Sequence, residues 1–184
     1  AEDIEIWTDV DGIMTTDPRM VEDARRIKII SFDEAAELAY FGAKVLHPAT
    51  IIPAIRKKIP VHVLNSYKPD QEGTLITDEA PACDNPVKAI ACKRGVTVVN
   101  VTSTRMLNVE GSKAIVCCVG ENLRNIPGVP HLVFNALQDL PVHMISQGAS
   151  AINITFVIDE DRLPEAVRGL HEAFFRKVDR RIFE

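Results

Sequence analysis

A chain of 184 residues with a formal net charge of −5 has no global basic field for nucleic acid or an anionic membrane surface. Its 46% hydrophobic and 26% charged content excludes a disordered chain and suits one ordinary domain or two small ones. No apolar run approaches the length of a membrane span, and the start AEDIEIW does not read as a signal peptide, so a cytoplasmic location is expected.

Residues 4–10 read as a short strand opening into a loop of Asp, Gly, Thr and Pro that ends at Arg19. Strand ends that open into polar loops are where α/β proteins bind ligands. This loop carries the hydroxyls of Thr8, Thr15 and Thr16, the carboxylates of Asp9, Asp11 and Asp17, and the guanidinium of Arg19. Gly12 lets the backbone approach a ligand, and Pro18 keeps Asp17 extended and aims Arg19, whose fork suits bidentate phosphate contact. An Asx-rich surface turn has the same composition, so composition leaves both readings open.

Residues 25–30 read as a strand or as the approach to the next helix. Ser31 and Glu34 form a capping box for a helix through Ala35, Ala36, Leu38 and Ala39 that stops near Gly42. Lys44 follows at once, where a cation also complements the helix dipole. Pro48 suits the first turn of a helix over 47–58, and Arg56, Lys57 and Lys58 suit its last. Residues 61–66 and 73–77 read as strands, with His62 a packed strand residue.

Residues 77–86 hold two prolines and three acids without periodicity and mark a boundary. The expected division is a first unit over 1–77, a linker over 78–86 and a second unit over 87–184. In the second unit, 87–92 and 96–102 read as strands joined by a tight turn at Lys93-Arg94-Gly95. Then come a strand over 113–119, a helix over 129–139, strands over 142–146 and 152–158, and a helix over 163–175. Val133, Phe134 and Leu137 are expected on one helical face, as are Leu163, Val167, Leu170 and Phe174. Cys117 and Cys118 point to opposite faces of their strand, and the four cysteines read as buried free thiols rather than a disulfide or metal set. Lys88-Ala89-Ile90-Ala91-Cys92 echoes Lys113-Ala114-Ile115-Val116-Cys117 at strand level only. The order after Lys113 is a βαββαβ ferredoxin-like unit short of one strand, which 87–92 could supply. The edge strands of such a module are open to pairing with another copy.

The wording of two blocks is more specific than their composition. Trp7-Thr8-Asp9-Val10-Asp11-Gly12-Ile13 with Thr15-Thr16-Asp17-Pro18-Arg19, and Phe41-Gly42-Ala43-Lys44-Val45-Leu46-His47-Pro48, resemble the ATP-site segments of the aspartate kinases. Thr102-Ser103-Thr104-Arg105-Met106-Leu107, His143 through Ser150, and Ile152 through Val157 resemble the ACT regulatory modules at the C-terminus of the same family. The fold class this implies is α/β, the C-terminal portion of an amino-acid kinase α/β/α sandwich, followed by an α+β ferredoxin-like ACT region. In that family one ACT module is inserted in the other, which accounts for the missing strand.

The resemblance implies ATP-dependent phosphorylation of the β-carboxylate of L-aspartate, the first step towards lysine, threonine and methionine. ATP with Mg²⁺ is then the co-substrate, and an end-product amino acid, lysine or threonine, exerts feedback through ACT modules that pair in a homo-oligomer. By match to the motif, Thr8 and Asp9 line the nucleotide pocket, Met14 stands where the family usually has Tyr, Arg19 neutralises phosphate, and Lys44 and Val45 flank the nucleotide. Met106, Gln147 and Asn153 are candidate effector contacts. No metal ligand is assigned. The family's Lys-x-x-Gly-Gly-Thr signature and its catalytic residues are absent and are expected upstream of Ala1. Near residues 108–111 the text jumps to the later module, so most of the first module is expected to be missing. The alternatives are a stand-alone amino-acid-binding regulatory subunit, part of a bifunctional aspartate kinase, or another amino-acid kinase such as a carbamate or glutamate kinase. The ACT-like tail argues against the last.

Overall fold

In the computed structural model the described residues are 1–42, 48–97, 112–147 and 150–184. The expectations for Lys44, Val45, Met106, residues 98–102 and the seam at 108–111 fall outside them.

The first half builds a four-stranded sheet in the order β1 (Ile4–Thr8), β3 (Val61–Asn65), β4 (Thr74–Thr77), β2 (Ile29–Ser31). β1 runs parallel to β3, from Ile4 opposite Val61 to Thr8 opposite Asn65. β3 is antiparallel to β4, and β4 is parallel to β2. Alternation decides which side chains enter the core: Val61 and Val63 are buried, while His62 between them is half-buried. The turn into β4 needs glycine. Gly73 has φ +64°, and a Cβ there would meet the Val63 carbonyl oxygen at 2.0 Å.

α1 (Phe32–Tyr40) starts at the capping box read from sequence. Ser31 Oγ accepts the Glu34 N–H at 3.2 Å, and Glu34 Oε2 accepts the Ser31 N–H at 3.1 Å. α1 ends at Phe41, whose N–H donates to the Glu37 carbonyl, just before Gly42 at φ +105°. α2 is Pro48–Lys57, close to its expected span.

The second half is an antiparallel sheet in the order β5 (Ala89–Val96), β6 (Lys113–Val119), β8 (Asn153–Asp159), β7 (Val142–Ser146). α3 (Val129–Ala136) lies between β6 and β7 in the chain, and α4 (Leu163–Phe175) follows β8. Counted from β6, this is the ferredoxin-like order, with β5 in the place of the missing last strand. β5 reaches the sheet from before the seam, as expected.

Two expectations change here. Lys93-Arg94-Gly95 is no turn. The β5–β6 ladder pairs Lys93 with Ile115 and resumes at Val96 opposite Lys113, so these residues form an irregularity inside one strand, with Gly95 at φ +67°. Phe134 is 52% exposed, whereas Val129, Val133 and Leu137 are buried. The buried stripe runs at i, i+4, i+8, and one residue beyond Val133 lies about 100° round the helix. On α4, Leu163, Val167, Leu170 and Phe174 are all buried, as expected. The thiols of Cys117 and Cys118 are buried and free, while Cys83 and Cys92 are half-buried and free. Burial pushes the Cys117 thiol up to about 12, far from the thiolate form that reacts.

The segment between Thr77 and Ala89 has no helix or strand, yet it is anchored. Asn85 is buried, its Nδ2 donates to the carbonyls of Phe174 (2.8 Å) and Lys177 (2.7 Å), and its Oδ1 accepts the Asp179 N–H (2.9 Å). Beyond α4 the chain turns back to the first half. Lys28 N–H donates to the Ile182 carbonyl, Ile27 pairs with Phe183, and the side chains of Arg26 and Glu184 form an ion pair. Ile182 and Phe183 are buried, so one continuous core spans both halves.

That return turn is held by Asp179, whose carboxylate grips the Arg181 guanidinium at 2.6 and 2.9 Å. The Arg181 pair holds the Asp179 carboxyl well below the usual carboxylate range. A depressed carboxyl contributes stability above its unfolded value of about 4, and this is lost as pH falls through that value toward the native one. Acid unfolding followed by circular dichroism is expected to show a shallower decline below about pH 4 for Asp179→Asn than for the parent chain. Parallel acid limbs would contradict this.

Candidate functional site

β1 and β3 are parallel neighbours, so their carboxyl ends open on the same side of the sheet, where α/β folds bind ligands. Thr8 ends β1. Its carbonyl accepts the Ser66 N–H at 2.8 Å and the Ser66 hydroxyl at 2.9 Å, and its own hydroxyl donates to Asp9 Oδ1 at 3.2 Å. Asp9 is exposed and Thr8 half-buried. Asp11 accepts Asn65 Nδ2 at 2.5 Å and Lys68 Nζ at 2.8 Å. The Lys68 ammonium, then the Asn65 amide, hold the Asp11 carboxyl below its usual range.

The loop then enters a hairpin-like pairing. Ile13 N–H donates to Thr74 Oγ1 at 2.8 Å, Met14 bridges Arg26, and Thr15 N–H donates to the Arg25 carbonyl at 2.8 Å. Gly12 allows the entry. At φ +130° it packs on Thr74, whose Oγ1 would lie 2.5 Å from any added Cβ. Met14 is left half-buried. Asp17 accepts Arg19 Nε at 3.0 Å and Arg19 Nη2 at 2.7 Å, and the guanidinium holds the Asp17 carboxyl below its usual range. The Arg19 side chain is 82% exposed.

Thr8 and Asp9 thus lie at the β1–β3 end, Met14 belongs to the paired segment that follows, and Arg19 lies beyond it, bonded to Asp17. Lys68, Asn65 and Ser66 were missed from sequence. Applying the carboxyl-end rule to β3 as well as β1 would have found them, because the two strands are parallel. Gln147 is half-buried just after β7, the edge strand. β8 is an inner strand, Asn153 is buried, and its Nδ2 donates to Glu37 Oε2 on α1 at 2.8 Å. Its amide is spent on a contact between the two halves. Among the described residues no group of three or more His, Cys, Asp or Glu is placed to hold a metal, and no helix is long and apolar enough to cross a membrane.

A family model described as the amino acid kinase family matches residues 1–65, and an ACT domain model matches residues 116–174. The first part of the chain is thus similar to the amino acid kinase family and the later part to ACT domains. The chain's relatives are aspartokinases. Aspartokinase 1, chloroplastic, of Arabidopsis thaliana is 31% identical over 242 aligned positions, covering 97% of this chain and 42% of that protein. A bifunctional aspartokinase/homoserine dehydrogenase of Zea mays is 35% identical over 176, covering 95% of this chain and 18% of its own length. E. coli aspartokinase III in complex with aspartate and ADP, in its R-state, matches with a TM-score of 0.83 at 31% identity, covering 95% of this chain and 53% of that one. The same enzyme with lysine and aspartate, in its T-state, gives 0.77. The chain spans about half the length, or less, of the relatives it matches. The part that matches the ACT domain model shares its core with the sheet that carries the Thr8–Arg19 loop.

Proposed function

We propose that this chain is the nucleotide side and part of the regulatory region of an aspartate kinase, which phosphorylates the β-carboxylate of L-aspartate with ATP and Mg²⁺. The observation that carries this reading is the likeness to an aspartokinase holding aspartate and ADP, over nearly the whole chain. In this reading Thr8 and Asp9 line the nucleotide at the carboxyl end of β1. Met14 packs on the base through its flexible thioether chain. Arg19 neutralises phosphate charge, and Asp17 presets its guanidinium, which must turn from that pair or share it. Lys44 and Val45 flank the nucleotide from the second block. Mg²⁺ arrives on the ATP phosphates, and phosphoryl transfer then depends on positioning and charge neutralisation.

The proposed units are 1–77 and 87–184, joined through 78–86. The aspartate-binding residues belong to a kinase portion not included in this sequence. The Arabidopsis alignment spans 242 positions against the 184 residues here, which supports a segment of that relative that this chain lacks. Feedback by lysine or threonine, and homo-oligomers formed through ACT domains, complete the reading. β7 has the exposed Met144 and Ile145 on a sheet edge, a surface suited to such pairing.

The test is trapping of acyl phosphate with hydroxylamine. The natural-length protein is expected to form it only with both ATP and aspartate, and titration with lysine and with threonine names the effector. The 184-residue chain alone is expected to bind MgADP and yield no acyl phosphate. Steady product from this chain would overturn the division of labour, and none from the natural-length protein would overturn the assignment.

A further inference from the structure

We propose that the ACT domain holds the nucleotide loop in place at Thr15, and that His171 is the positioning residue through which it does so. The proposal rests on the nucleotide reading above and adds the group that governs the loop's position.

Thr15 follows Met14 and lies four residues before Arg19. It is completely buried. Two of its bonds are local: its N–H donates to the Arg25 carbonyl, and its Oγ1 accepts the Arg25 N–H at 2.9 Å. The other two come from the ACT side. The Thr15 carbonyl accepts the Ile90 N–H of edge strand β5 at 2.7 Å, and Oγ1 lies 3.1 Å from His171 Nε2 on α4. Since Arg25 already uses an Oγ1 lone pair, the hydroxyl proton is available to His171. A neutral ring accepts it, and burial lowers the His171 pKa, with Asp23 opposing and Arg25 adding to that shift. The ring cannot swing away, because it stacks on Phe175 at 4.8 Å and Phe175 meets Phe183 edge-on.

Other contacts tie the ACT domain to the helix that leads to the second nucleotide block, on the sheet face that carries Cys117, Thr155 and Asn153. A Cβ on Gly42 would lie 2.8 Å from the Cys92 carbonyl oxygen, and Lys88 and Asn153 reach Glu34 and Glu37 of α1. A displacement of α4 against β5 therefore pulls on Thr15, and with it on the backbone of Met14. Nucleotide affinity should report that displacement.

A buried histidine that merely packs would alter stability and leave the affinity of the folded protein unchanged. The experiment is calorimetric titration of the natural-length protein with MgADP, alongside steady-state kinetics. Thr15→Val removes the hydroxyl at nearly constant shape. His171→Phe keeps the stack on Phe175 and removes Nε2. His171→Phe is expected to weaken MgADP binding about fivefold, the worth of one buried hydrogen bond, and Thr15→Val at least as much, because it also removes the acceptor of the Arg25 N–H. KM for ATP should rise by a similar factor, while kcat stays within about twofold. The double variant should be no worse than Thr15→Val alone, and His171→Gln, which keeps a polar group in reach, should recover most of the affinity. If His171→Phe fails to fold, Thr15→Val carries the test. Wild-type affinity in a folded single variant, or additive losses in the double, would overturn the proposal. Absence of MgADP binding by the wild-type protein would instead overturn the nucleotide reading on which it rests.

Discussion

Lys88→Met is expected to destabilise this chain by about 3–5 kcal/mol, the usual cost of stranding a buried charge. Lys88 and Glu34 are each about 1% exposed at the side chain, and Nζ lies 2.9 Å from Oε2. That oxygen also accepts the Ser31 N–H and hydroxyl, while Glu34 Oε1 has no partner among the described residues. One carboxylate therefore serves two purposes: it closes the capping box of α1, and it joins α1 to the residue preceding β5. Without the ammonium it stays in the core with only the Ser31 donors. The double variant Lys88→Met/Glu34→Gln should recover most of the loss, since Gln can still close the capping box and no charge is left. Urea unfolding at constant slope measures both. A single variant within about 1 kcal/mol of the parent would show that the pair contributes little.

Arg19→Gln is expected to weaken MgADP binding about ten- to a hundredfold, the range for one hydrogen bond to a charged group. Stability should move by less than about 0.5 kcal/mol, because the Arg19 side chain is 82% exposed and its pair with Asp17 is a surface one. The two variants should thus separate cleanly, Lys88→Met lowering stability and Arg19→Gln lowering affinity. Calorimetry with the natural-length protein decides the second case, and an unchanged affinity would remove Arg19 from the site.

Much of the local structure was legible because its causes are local. The Ser31–Glu34 box starts α1 where it was expected, and the spans of α4, β6 and β7 agree with their hydrophobic patterns. The missing ferredoxin strand was legible from a count of elements. Lys93-Arg94-Gly95 was misread because Gly after two charges has the composition of a turn, whereas the β6 ladder continues past it. Phe134 was misread by one position of helical phase. In the candidate site, the hydroxyls and carboxylates of the loop were proposed from residue type alone. Their partners Asn65, Ser66 and Lys68 were not, because they enter only once β3 lies beside β1.

By itself the sequence determined the elements, their order and the chemical inventory of the Thr8–Arg19 loop, since capping, periodicity and turn chemistry act over a few residues. Only the tertiary structure decided that Lys88 meets Glu34, Asn153 meets Glu37, Thr15 meets His171 and the tail returns to Arg26. Each of those contacts joins groups 54 to 158 positions apart. No local pattern encodes such pairs, because they form where two separately patterned halves close over one core.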